Sequence, residues 1–167
     1  MVKLSVILIT FVLLACNPFA PTYDDEISST TLILTDQQTP QEVMTNFAFA
    51  YNFKDSLVYS DLIDTTFLFI SKDFNTNPVT DLTWGRDTDL RTTAGLFKSF
   101  NTINLVWGGT IFERELDSTH VELKQVFQLT LDGGIQIPTL NGEALFILRK
   151  NASNRWKITR WEDKPAF

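Results

Sequence analysis

Proton transfer, nucleophilic attack and metal binding each need particular side chains at particular spacings, and this chain offers few of them. It holds one histidine, His120, and one cysteine, Cys16. Histidine titrates near neutral pH and can act as a base. His120, however, directly follows the turn at Asp117-Ser118 and falls on the opposite phase from Val121 and Leu123, as a solvated residue at a strand start does. Glu113, Glu115 and Glu122 bring carboxylates to neighbouring strands, but Arg114 and Lys124 are interleaved and no His/Cys/Asp spacing suits a metal. No metal site and no cofactor is expected. Tyr51 and Tyr59 carry hydroxyls that could donate hydrogen bonds into a cavity, although an aromatic at helical spacing among Phe47, Phe49 and Phe53 is more often core. Asp61 and Asp64 lie where a short helix turns down, and their plain reading is that of helix-terminus carboxylates. Glu143 and Arg149 share the phase of Leu145 and Ile147, so they either form an inward polar pair or reach water from the strand ends. Trp84, Trp107, Trp156 and Trp161 could line an apolar ligand pocket. Within that set Trp156 is better suited to sealing the sheet, and Trp84, beside Gly85-Arg86-Asp87, to a cavity mouth.

The position of Cys16 gives its thiol another chemistry. Lys3 precedes a run over 4–15 that is apolar except for Ser5 and Thr10, which is the form of a signal-peptide core. The run is well short of the roughly 20 apolar residues that span a bilayer. Leu13-Leu14-Ala15-Cys16 resembles the lipobox of bacterial lipoproteins, in which the cysteine is acylated and becomes the first mature residue. Leu14 stands where a small residue is more usual, so an ordinary secretory signal is the alternative. The expected organisation is a signal peptide over 1–15, a Pro-, Ser-, Thr- and Asp-rich tether over 16–38, and one folded domain over 39–167. Acyl chains such as palmitate on Cys16 would hold the domain on a membrane without a spanning segment. Asn17 does not resemble the inner-membrane retention signal that an aspartate gives, which favours the outer membrane. The formal charge of −6, or −7 once Lys3 is removed, is the wrong sign for a phosphate backbone, so nucleic acid is excluded as a partner.

The elements that must position these residues come in a definite order. Thr39-Pro40-Gln41-Glu42 supplies a cap, a proline at the first helical position and a returning glutamate. Val43, Met44, Phe47, Ala48, Ala50 and Tyr51 continue at helical spacing, and Leu57, Val58, Leu62 and Ile63 suggest a second short helix. A strand over 66–71 and a polar loop through Asn75, Asn77 and Pro78 precede a third helix from Asp87 or Thr88 to about Phe100, with Leu90, Ala94 and Phe97 on its apolar side. Period-two patterning then predicts antiparallel strands over about 103–116, 121–131, 143–150 and 155–162, with Gly108-Gly109 as a bulge or bend. Helices first and sheet afterwards imply an α+β domain, its helices packed in a strongly curved antiparallel sheet.

Over 39–165 the chain resembles the NTF2-like superfamily of cone-shaped domains, also called cystatin-like. The resemblance rests on Tyr51-Asn52-Phe53-Lys54-Asp55, on Phe67-Leu68-Phe69, and on the ending from Gly142 to Arg149 followed by Trp156-Lys157-Ile158-Thr159-Arg160-Trp161-Glu162-Asp163. The terminal pattern is similar to that of lipid-anchored members of unassigned function. The superfamily includes isomerases, dehydratases, binding scaffolds and transport factors, so the fold alone assigns no chemistry. An enzyme of this kind would place a carboxylate or histidine base inside an apolar cone, opposite a tyrosine, aspartate or histidine. The resemblance therefore nominates Asp61 or Asp64 as base and Tyr51 or Tyr59 as proton donor, with His120 a weaker candidate. The expectation that follows from the missing catalytic constellation is a noncatalytic lipoprotein binding an apolar small molecule or an envelope protein, with Tyr51, Trp84, Trp107, Glu143 and Arg149 as ligand contacts. An isomerase- or dehydratase-like enzyme is the alternative, and a homodimer through the outer sheet face a third possibility.

Overall fold

The computed structural model describes residues 34–134 and 136–165. The signal peptide, Cys16 and the first part of the expected tether lie outside the described residues. Helices α1 (Pro40–Asn52) and α2 (Ser56–Leu62) are followed by strands β1 (Ile63–Asp73) and β2 (Thr80–Gly85), helix α3 (Arg86–Ser99), and strands β3 (Ile103–Asp117), β4 (His120–Leu131), β5 (Leu140–Lys150) and β6 (Trp156–Pro165). The strands form one sheet in the order β2-β1-β6-β5-β4-β3.

Local chemistry sets the helix ends. Thr39 Oγ1 accepts from the Glu42 N–H at 3.2 Å, and the Glu42 carboxylate accepts from the Gln38 N–H at 2.7 Å, one residue before the cap, in a variant of the capping box. Asp55 caps α2 by accepting from the Leu57 and Val58 N–H groups. Asn52 closes α1 against the sheet: its amide oxygen accepts from the Leu105 N–H at 2.6 Å and its NH2 donates to the Leu105 carbonyl at 3.1 Å.

Three findings correct the sequence reading. The sheet is not wholly antiparallel, because β1 runs parallel to β6, from Ile63 opposite Ile158 to Ile70 opposite Glu162. The polar stretch before α3 is not all loop: β2 pairs with β1 from Asp73–Thr80 to Leu68–Gly85, and as an edge strand with most residues exposed it carries no inward apolar pattern to read. The last residues of the expected tether are also part of the domain. Gln37 is buried, its carbonyl accepts from the Trp156 N–H, and Thr35 and Asn46 exchange two hydrogen bonds.

Two irregularities bend the sheet around α1. The β3–β4 register shifts between Trp107 and Thr110, at Gly108-Gly109, and a Cβ on Gly108 would lie 3.1 Å from the Val126 Cβ, so only glycine fits there without displacement. The β5–β6 register shifts between Leu148–Ile158 and Ile147–Arg160, leaving Thr159 as the extra residue. This second bulge changes the parity of β6. Tryptophans five apart on a regular strand point to opposite faces, but Trp161 lies opposite Phe146 and Ile158 opposite Leu148, both fully buried residues of one face. Trp156, Ile158, Trp161 and Asp163 therefore all face the helices.

Phe47 of α1 sits at the centre of that face. Its ring contacts Tyr51 at 4.9 Å, Trp161 at 5.4 Å, Tyr59 and Trp107 at 5.5 Å, and Phe146 at 5.9 Å. Truncating it to alanine is expected to cost about 3–5 kcal/mol in urea unfolding. Deleting Thr159 removes the extra residue and leaves Arg160 opposite Ile147, Trp161 opposite Phe146 and Asp163 opposite Ala144 in an uninterrupted ladder, so both side chains stay on the helix-facing side. The expected result is a cooperative urea transition with tryptophan emission as blue as the parent's; a red-shifted emission with loss of cooperative unfolding would contradict the parity argument.

Candidate functional site

Two carboxylates enter the helix-facing side of the sheet, and neither is Asp61 or Asp64. Asp89, in the first turn of α3, is 2% exposed. Its Oδ2 accepts from the Tyr59 hydroxyl at 2.6 Å and its Oδ1 from the Trp84 indole N–H at 3.0 Å. Burial raises its pKa above the ordinary carboxylate range, although both donors favour the charged form. Asp163, on β6, is half-buried and accepts from the Trp161 indole N–H at 2.7 Å. Burial pushes its carboxyl up to about 6 against the pull of that indole, and the charge of Asp89 adds to the rise.

The hydroxyls converge on the same place. Desolvation holds the Tyr51 hydroxyl far above the ordinary tyrosine range, and Asp89 and then Asp163 reinforce it, while Thr93 and Tyr59 act in the other direction. Tyr59 is raised by burial too, with Tyr51 and Asp89 adding to it. Both phenols thus remain donors at any physiological pH. Aromatic rings enclose them: Phe69 stacks on Trp84 at 4.2 Å and meets Trp161 edge-on at 5.1 Å, and Phe97 meets Tyr51 edge-on at 5.3 Å.

One row across the sheet extends this polar group. Asp163 pairs with Ala144, Ala144 with Gln125, and Gln125 with Thr110, so all four occupy one line on one face. Gln125 is buried and donates to Thr110 Oγ1 at 3.2 Å, while its Oε1 has no hydrogen-bond partner among the described residues. With strands about 4.8 Å apart, Gln125 and Asp163 stand about 10 Å from each other across the small Ala144. A molecule with hydrogen-bond donors at both ends would satisfy the orphaned oxygen and the carboxylate together.

The sequence candidates divide accordingly. Tyr51, Tyr59 and Trp84 are brought together at this site. Trp107 lies on the same face but spends its indole N–H on the Met44 carbonyl at 2.8 Å. Asp61 and Asp64 lie elsewhere: Asp61 accepts from Gln37, Arg155 and Lys157, and Asp64 from Thr66 and Arg149. Partial burial would raise both pKa values, but these donors outweigh it and hold both carboxyls below the ordinary range, the reverse of a poised base. Glu143 and Arg149 are not an inward pair, because Ala144, Phe146 and Leu148 take the inner phase. Glu143 pairs with Lys124 on the other face. His120 bonds Asp117 and Thr119 beside the β3–β4 turn, far in the sheet from Asp163.

Asp89 and Asp163 escaped the sequence reading for different reasons. Asp89, Thr93 and Phe97 recur every four residues and form the buried face of α3, a signal that was present but ran beside the more apolar stripe through Leu90 and Ala94. Asp163 depends on the Thr159 bulge, which nothing in the local sequence marks.

The fold recurs among solved structures. A provisionally named scytalone dehydratase from Novosphingobium aromaticivorans matches with a TM-score of 0.63 at 16% identity, over 76% of this chain and 81% of that one. A domain of unknown function with a cystatin-like fold from Nostoc punctiforme matches at 0.61 and 18% identity, over 79% and 78%. An NTF-2 like protein of unknown function from Shewanella oneidensis matches at 0.55 and 16%, over 74% and 93%. No protein-family model matches the sequence, and no curated protein matches it.

The raised Asp163 carboxyl has a stability consequence. Its folded pKa of about 6 exceeds the roughly 3.9 of an unfolded chain. The folded state therefore holds the extra proton between those values, and the contribution is complete below about pH 4 and lost as pH rises through about 6. Asp163→Asn removes the ionisation and still accepts from Trp161. The variant is expected to exceed the parent in urea stability at pH 7.5 by on the order of 1–3 kcal/mol, with the gain gone at pH 4. A pH-independent difference would contradict the assignment.

Proposed function

We propose, from the NTF2-like, cystatin-like fold and the chemistry of its inner face, that this domain binds a small and largely apolar molecule inside the cone. The observation that carries the reading is the row from Gln125 across Ala144 to Asp163, where an unpartnered buried acceptor and a carboxylate face the same aromatic enclosure. Such an arrangement gives an apolar body its stabilisation through the rings and fixes its orientation through two acceptors. Binding without bond-making is the first reading. Asp89 is saturated by Tyr59 and Trp84 and shielded from solvent, so it serves as a fixed electrostatic wall for whatever enters.

The second reading, a proton-transfer enzyme of isomerase or dehydratase type, has one observation in its favour. Asp163 combines partial exposure with a carboxyl near 6, and its charge acts on the Tyr51 hydroxyl. Asp163 would take a proton from the substrate and Tyr51 would donate a hydrogen bond to the developing negative charge.

Delivery to the envelope belongs to the same proposal. The Leu13-Leu14-Ala15-Cys16 segment supports acylation of Cys16 and attachment to the outer membrane of a bacterial cell. The outer sheet face, where Val106 and Val126 are 48% and 39% exposed, supports contact with a second copy or an envelope protein.

Native mass spectrometry of the protein extracted from its own host tests both parts. The expected spectrum shows an N-terminal mass carrying diacylglycerol on Cys16, and a retained small molecule that Gln125→Leu and Asp163→Asn release. An unacylated chain that holds no molecule and quenches no tryptophan fluorescence with any apolar probe would refute the proposal. Turnover that Asp163→Asn and Tyr51→Phe abolish while binding persists would select the enzymatic reading.

A further inference from the structure

A second site lies away from the aromatic interior, where β1 begins and β5 ends. Ser60, Asp64, Arg86, Arg149, Lys150 and Lys157 are among the residues lining a cleft there of about 530 Å³. Arg149 and Lys157 are paired across β5 and β6 and point away from the face that carries Phe146 and Ile158. The cleft therefore lies at the end of the sheet, with Arg149 and Lys157 on its outer face and Lys150, over the Trp156 ring, on its inner face.

Its charge runs against that of the protein. The lining holds four cations, Arg86, Arg149, Lys150 and Lys157, against two carboxylates, Asp61 and Asp64, in a chain of formal charge −6. Both carboxylates are already engaged. Asp64 accepts from Arg149 Nη2 at 3.0 Å, and Asp61 is shared by Lys157 at 2.9 Å and Arg155 at 2.8 Å. Arg86 and Lys150 remain without ion pairs among the described residues. Arg86 is held rigidly by backbone, its Nε donating to the Ile63 carbonyl at 3.3 Å and its Nη2 to the Ser60 carbonyl at 3.1 Å. Those bonds spend donors without neutralising charge. Lys150 lies over the Trp156 ring, 5.1 Å from its centroid, which likewise leaves its charge uncompensated. Asn151 accepts from the Ser153 and Arg155 N–H groups through Oδ1, which leaves its side-chain NH2 as a further donor.

We propose that this cleft binds a small phosphate-bearing oxyanion, with Arg86 and Lys150 as the charged contacts and the Arg149–Asp64 pair as a fixed wall. A planar guanidinium pinned by two carbonyls is pre-oriented for an oxyanion, and a local excess of positive charge in an acidic molecule concentrates anions at that point. The phosphate can come from a soluble phosphate ester or from the headgroup of a phospholipid.

The test is an NMR titration of the purified chain with two probes, inorganic phosphate and glycerophosphoglycerol, followed at the arginine Nε–H signals. A saturable shift of the Arg86 and Arg149 signals with either probe, with the Arg149 response weakened at least tenfold in Arg86→Met and unchanged in the distant Lys98→Gln, supports the site. Preference for phosphate identifies a soluble ester as the source, and preference for the phosphodiester identifies a lipid headgroup. Should Arg86→Met fail to fold, Lys150→Gln replaces it, since the Lys150 ammonium makes no hydrogen bond or ion pair among the described residues and lies over the Trp156 ring. No saturable shift with either probe, or a shift that survives both substitutions, overturns the proposal.

Discussion

Asp89 is a charge-bearing group taken almost wholly out of water, and the rest of the inner face is arranged around that cost. A buried carboxylate without partners is penalised by several kcal/mol. Here a phenol from α2 and an indole from β2 each give it a hydrogen bond. Those bonds join α2, β2 and α3 at one carboxylate. They also fix Trp84, which then stacks on Phe69 and forms the wall that Trp161 meets edge-on. The rings around Tyr51 and Tyr59 are dry enough that both phenols keep their protons. The polarity of the interior follows from one aspartate having been accommodated.

The curl of the sheet provides the space for this group, and it depends on two local faults in the ladders. Gly108-Gly109 lets β3 bend past Val126, and Thr159 shifts β6 by one residue. The second fault has the larger chemical effect, because it decides which face Asp163 occupies. A regular β6 would send Trp161 and Asp163 to the same side as Arg149 and Lys157. The interior would then lose both the Trp161 ring and the Asp163 carboxylate.

Much of the architecture was legible in the sequence. The capping box at Thr39, the helical spacing through Phe47 and Tyr51, and the alternation through Val121, Leu123 and Leu131 are strong local signals, and each element formed where those signals placed it. β2 was missed because an edge strand needs no inward apolar pattern, and the parallel pairing of β1 with β6 joins residues far apart in sequence. At the site, Tyr51, Tyr59 and Trp84 could be nominated from residue type and spacing alone. Asp61 and Asp64 had the right chemistry but the wrong surroundings, since what separates a poised carboxylate from a salt-bridged one is its neighbours in space. Asp163 required knowledge of a bulge, and a bulge is decided by the fit of two strands.

Asp163 is an inward carboxylate whose pKa is raised by burial beside the aromatic rings. The most direct measurement is a pH titration of its carboxyl carbon by NMR, read together with the indole N–H of Trp161, which donates to it. A midpoint near 6 is expected, with the indole signal moving through the same transition. A midpoint near the roughly 3.9 of an exposed aspartate, with no response from the indole, would contradict it.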